Sequence, residues 1–113
     1  MHELSIATNI VEFAEEFAHD HQATKINRIE LEVGQLSGIV IDSLKFALEF
    51  AVENTVLEKA EIIITEIPGR FKCYNCQTEF DKSVWYTPCP SCQSMDSELL
   101  GGKEMQIKSI FID

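Results

Sequence analysis

From Glu3 to Asp20 apolar residues recur at helical spacing. Ile6, Ile10, Phe13 and Phe17 are flanked by Ala7, Val11, Ala14 and Ala18, while Glu12, Glu15, Glu16, His19 and Asp20 fill the opposite side. The pattern predicts an amphipathic helix with its aromatic stripe turned into a core. From Lys25 to Val33 the period changes to two: Ile29, Leu31 and Val33 alternate with Arg28, Glu30 and Glu32, which predicts a half-buried strand. Gly34 and Gly38 bracket a turn segment, Gln35-Leu36-Ser37. A second helix should follow, capped by Asp42, with Leu44, Ala47, Leu48 and Ala51 as its buried row. Ala60 to Ile67 contains the β-branched run Ile62-Ile63-Ile64-Thr65, suited to an inner strand, and Pro68-Gly69 ends it. After Gly101-Gly102, strand character returns from Lys103 to Asp113 through Met105, Ile107, Ile110, Phe111 and Ile112.

A tail that short cannot bury a face of its own, so it is expected to rejoin the sheet begun by the first strand. The strand–helix–strand stretch from 25 to 67 should be a right-handed parallel unit. The expected architecture is therefore α+β: a small mixed three-stranded sheet with two helices on one face, and an inserted zinc-ribbon-like lobe. The expected division is residues 1–69 with 103–113 as one α/β domain, and residues 70–102 as the second.

The lobe is singled out by its cysteines. All four of the chain fall within it as two pairs, Cys73-Tyr74-Asn75-Cys76 and Cys89-Pro90-Ser91-Cys92, with twelve residues between the pairs. Two residues between thiols allow both sulfurs of a pair to face one ion. Two such knuckles brought together form a closed tetrahedral S4 set, the arrangement zinc accepts most readily. Disulfide pairing is the competing use. It is disfavoured because residues 1–20 read as a core-facing helix and not as a secretory leader, so a reducing, cytoplasmic location is expected. A thioredoxin-like redox pair is disfavoured as well, since neither pair opens a helix after a strand. Trp85 and Tyr86, in the loop between the pairs, are expected to pack inside this small lobe, with interface anchoring as the alternative.

Charge narrows the partners. Nine basic residues against nineteen acidic ones leave a formal charge of −10, which four metal-bound thiolates would make more negative. Such a surface repels phosphate backbones and anionic lipid, so neither a nucleic-acid nor a membrane partner is expected. No apolar run approaches the ~20 residues of a membrane-spanning helix. No carboxylate pair, phosphate loop or nucleophile with its base stands out, and Ser5, Ser37 and Ser43 lack triad partners, so catalysis is not expected.

The sequence opens Met1-His2-Glu3. A free α-amine followed by histidine can chelate a metal without any fold, through the Met1 amine, the deprotonated His2 amide nitrogen and the His2 imidazole. The Glu3 amide or carboxylate offers a fourth donor. A planar, nitrogen-rich set of this kind suits Ni(II) or Cu(II) and not zinc. A bulky second residue such as His2 is expected to preserve the initiator Met1. The competing use is mundane: His2 leads into the helix, and Glu3 is favourable at its positive end. His19 and His21 are poorer ligand candidates, because residues two apart do not share a helical face.

Met1-His2-Glu3 opening directly into a helix, a strand ending Val33-Gly34-Gln35-Leu36-Ser37, the quartet Cys73, Cys76, Cys89 and Cys92, and a β-rich tail occur here in one short chain. In this conjunction the sequence resembles, over essentially its whole length, the HypA/HybF family of nickel metallochaperones of [NiFe]-hydrogenase maturation. The resemblance implies that Met1, His2 and Glu3 hold Ni(II) as cargo and that the four cysteines hold structural Zn(II). It also implies a HypB-type GTPase as partner, delivery to the hydrogenase large subunit, and in some relatives service to urease maturation proteins. Some family members take further nickel contacts from the zinc lobe. Residues 70–102 contain no histidine, so no such ligand is carried over. A zinc-ribbon adaptor that docks a partner without transferring metal is the alternative.

Overall fold

The computed structural model describes residues 3–82 and 86–113. The elements run α1 (Glu3–Asp20), β1 (Arg28–Gly34), α2 (Ile41–Ala51), β2 (Glu61–Ile67), β3 (Arg70–Cys73), β4 (Glu79–Asp81), β5 (Ser97–Gly101) and β6 (Met105–Phe111). They make two three-stranded sheets, ordered β2-β1-β6 and β4-β3-β5. The first is mixed: β1 is parallel to β2 and antiparallel to β6. The terminal strand thus rejoins the first sheet, as the sequence led one to expect.

The alternation along β1 decides which side is covered. Ile29, Leu31 and Val33 are fully buried beneath α1 and α2, in a cluster with Ala7, Ile10, Ala14, Leu44 and Leu48. Glu30 and Glu32 point to the open face, where Ser109 donates to Glu30 and Gln106 Nε2 donates to Glu32 Oε1 at 2.6 Å. Both helices therefore lie on one face of a mixed sheet.

Three local expectations are corrected. In α1 the buried set is Ala7, Ile10, Val11, Ala14 and Ala18, whereas Phe13 is 53% exposed. The face is rotated towards the alanines, because small side chains let α1 approach α2 closely. The isoleucine run of β2 forms an edge and not an inner strand, since β1 takes the central position. Asp42 does not cap α2. The N-cap position is Val40, with no side-chain cap of its own, and Asp42 sits within the first turn.

The capping function comes from α1 instead. Glu3 Oε2 accepts the Val40 N–H at 3.1 Å, just before α2, and Glu15 Oε1 accepts the Val56 N–H at 2.9 Å, beyond its end. The Glu3 carboxylate also lies at the positive end of the α2 dipole. Two glutamates of α1 thus hold the chain just before α2 and a few residues beyond it, something no local pattern in α2 could reveal.

The two sheets meet at residues 34–36, 68–69 and 102–104. Leu36 N–H donates to Gly102 O at 2.7 Å, Gln35 N–H to Ile67 O at 2.8 Å, and Gly34 N–H to Glu104 O at 2.7 Å. The backbones pass so closely that a Cβ on Gly34 would lie 2.0 Å from Gly102 O. Leu36 itself leaves the first core and is buried with Phe71, Cys73, Phe80 and Cys89. Truncating it should loosen the second cluster from above. Leu36→Ala should therefore cost towards the lower end of about 2–5 kcal/mol in denaturant unfolding. An unchanged unfolding midpoint would show that this side chain does not join the lobes.

Candidate metal centres

Each knuckle is shaped by the same short code. Cys-x-x-Cys is followed by Gln77-Thr78 in the first and by Gln93-Ser94 in the second. Gln77 and Gln93 both adopt positive φ, 66° and 68°. These left-handed residues let the chain double back: Gln77 N–H donates to Cys73 O at 3.0 Å, and Gln93 N–H to Cys89 O at 2.9 Å. Cys73 N–H then donates to Thr78 O and Cys89 N–H to Ser94 O, each at 2.9 Å. The two knuckles are thus built alike, the first at the turn of the β3–β4 hairpin and the second before β5.

They bring all four sulfurs within 4.8 Å of one another. Cys73 Sγ lies 3.5 Å from Cys92 Sγ, and Cys76 Sγ 3.6 Å from Cys89 Sγ. A disulfide would need about 2.05 Å, so the four cysteines are free thiols. For zinc–sulfur bonds of about 2.3 Å, a tetrahedron has edges near 3.8 Å. The sulfur separations and the all-thiol donor set fit a tetrahedral zinc ion. Such an ion, when bound, supplies cross-linking and no redox chemistry.

The four thiols are not equivalent. Cys73 and Cys89 are fully buried, Cys92 is half-buried and Cys76 is exposed. Hydrogen bonding from the Thr78 hydroxyl, then from the Thr78 backbone, pulls Cys76 down to about 6. Cys92 is lowered by the Ser94 amide and by Asn75. At Cys73 the Cys76 amide pulls downward, but burial and the neighbouring thiols outweigh it and the net shift is upward. With zinc bound and the lobe folded, iodoacetamide should therefore reach the exposed Cys76 before the buried Cys73 and Cys89, as read by peptide mass spectrometry. Equal labelling of all four would contradict this asymmetry.

One member of this lobe escaped sequence reasoning. Lys82 is buried, with Nζ 4.0 Å above the Phe71 ring and donating to Thr87 O at 3.1 Å and Ser97 Oγ at 3.3 Å. It puts a positive charge into the small core that also holds Cys73 and Cys89. No motif announces it, because a lysine after an aspartate reads as solvent-exposed. Tyr86, expected in that core, is 76% exposed; Trp85, expected beside it, lies outside the described residues.

At the other candidate centre, Met1 and His2 lie outside the described residues, so the structure speaks only for Glu3. Glu3 opens α1, and its carboxylate is bound to the Val40 amide. His19 and His21 do not form a site together: His21 stacks on Phe17 with ring centroids 4.1 Å apart, and its Nδ1 lies 2.9 Å from Phe17 O.

The fold and this thiol cluster define a small α+β metal-handling protein with a zinc-ribbon-like lobe. A family described as "HypA: Hydrogenase/urease nickel incorporation, metallochaperone" matches residues 1–112. The chain is 46% identical over 112 residues to a hydrogenase maturation factor HypA of Parabacteroides distasonis, covering 99% of this chain and 97% of that one. It is 41% identical to the HypA of Prosthecochloris aestuarii, across the full length of both. Among solved structures, that of the Ni metallochaperone HypA from Helicobacter pylori superposes with a TM-score of 0.67 at 28% identity, covering 99% of this chain and 97% of that one. The chain belongs to the HypA family. That family is one of metallochaperones serving nickel incorporation into hydrogenase or urease, and not of catalysts. Among the described residues no helix is long and apolar enough to cross a membrane.

Proposed function

We propose that this protein carries Ni(II) at its amino terminus and delivers it to the [NiFe]-hydrogenase large subunit, with a HypB-type GTPase as partner. Residues 1–69 with 103–113 are the nickel-bearing domain, and residues 70–102 the zinc-bearing one. Cys73, Cys76, Cys89 and Cys92 hold the zinc that keeps the second domain folded. Met1, His2 and Glu3 hold the cargo, through the Met1 amine, the His2 amide and imidazole, and a donor from Glu3. A cytoplasmic location fits four free thiols gathered as a metal site.

The observation that carries this reading is the whole-length match to a nickel-incorporation family by a chain that opens Met1-His2-Glu3. The docking of the Glu3 side chain lends it chemical detail. With its carboxylate held by the Val40 amide, Glu3 most readily offers its own amide nitrogen. The same bond anchors Glu3 beside the start of α2. An exposed terminal site of this kind exchanges ligands easily, as a carrier requires, while the sulfur-rich site stays closed. Copper outranks nickel on such donors, so selectivity comes from metal supply and from docking with the right partner. Metal analysis of untagged protein against His2→Ala, after equal nickel exposure, tests the assignment.

A further inference from the structure

Helix α2 buries Leu44, Ala47 and Leu48 against the sheet, which satisfies its role in the fold. On its outward side it nonetheless displays Phe46 and Phe50, 62% and 58% exposed. One helical turn apart, their rings meet edge-on with centroids 5.1 Å apart. Val40, at the start of α2, is exposed as well, and so is Leu4. The bond from the Val40 amide to Glu3 brings the first turn of α1, with Leu4, to the start of α2. A single exposed apolar residue is ordinary. A contiguous aromatic pair that the core does not need is the composition of an interface anchor.

The charges around the patch select its occupant. Asp42, Glu49 and Glu53 are exposed beside the two phenylalanines, against one base, Lys45. The chain as a whole carries −10. A second copy would bring the same acidic rim against itself, and an anionic lipid surface would be repelled. A cationic protein would be drawn in.

We propose that the outward face of α2, centred on Phe46 and Phe50, with Val40 and Leu4 exposed towards its amino end, docks a partner protein that presents apolar side chains ringed by Lys or Arg. The assignment of nickel exchange as that partner's task rests on the amino-terminal nickel reading; the surface itself does not.

The test uses an amphipathic helical peptide of leucine and lysine, titrated into the zinc-loaded full chain by NMR, with a leucine–glutamate peptide as control. Shifts should concentrate at Leu4, Val40, Phe46 and Phe50, and binding should weaken with added salt. Phe46→Ser/Phe50→Ser should lower affinity by about tenfold or more, as loss of an aromatic anchor does, while nickel and zinc contents stay unchanged. Equal binding by the double variant, equal binding of the glutamate peptide, or shifts centred on another surface would each overturn the proposal. So would a concentration-dependent dimer that the double variant abolishes, since the occupant would then be a second copy. Failure of the wild type to bind nickel sinks the amino-terminal reading and leaves the peptide map intact, so the two failures are separable.

Discussion

Untagged protein carrying His2→Ala should keep its zinc and lose its amino-terminal nickel. Removing the imidazole deletes one donor and the chelate ring that it closes with the His2 amide nitrogen. What remains, an amine and two amides, has no side-chain donor to hold the amides deprotonated, so nickel affinity should fall by orders of magnitude. Placing a short peptide before Met1 should do the same by turning the α-amine into an amide, although every side chain is retained. Binding should also weaken on acidification, because amine, imidazole and amide must all shed protons before they coordinate. The four thiols belong to a different sheet, so zinc content measured alongside nickel serves as the internal control. Wild-type nickel stoichiometry in either protein would show that the cargo sits elsewhere.

The second large effect concerns the thiols. Cys89→Ser should abolish zinc binding and unfold β3, β4 and β5 while leaving the β2-β1-β6 sheet and its helices in place. Among the described residues the buried apolar side chains of the lobe are few: Phe71, Cys73, Phe80 and Cys89, joined from the first unit by Leu36. That core is too small to offset the chain entropy of ordering residues 70–102. A structural zinc supplies about 10–16 kcal/mol in small peptides, and losing it should therefore be decisive for this lobe. The first sheet has its own core of fourteen buried apolar residues. Loosening the connection between β2 and β6 costs it little, because closure entropy rises only slowly with loop length. Hydrogen exchange read by mass spectrometry should show amides of 70–101 unprotected and those of 28–34 and 105–111 still protected. Uniform loss of protection would mean that the two lobes fold as one cooperative unit, coupled through Leu36 and the close backbone approach of Gly34 to Gly102.

Much of this was legible in the chain because the signals were local. The period of α1 and the alternation of β1 placed both elements within a few residues of their observed bounds, Glu3–Asp20 and Arg28–Gly34. Two Cys-x-x-Cys pairs on a short tether leave few ways for four sulfurs to lie except together, and they do converge. Other features depend on residues far apart in sequence. That Phe13 is exposed while Ala14 is buried depends on how closely α2 approaches, which no period in α1 encodes. The edge position of β2 depends on β6 taking the other side of β1.

The sequence by itself determined which segments are helical, which are extended, where the sulfur ligands lie and which family the chain resembles, since each is carried by spacing along a few residues. Tertiary structure alone decided that Glu3 closes the amino end of α2, that Leu36 is buried in the cysteine lobe, that Lys82 lies inside it and that Phe46 and Phe50 face outward. Each of these is a contact, or the lack of one, between elements remote in the chain. Their energies depend on burial and distance, which come into being only when the chain folds.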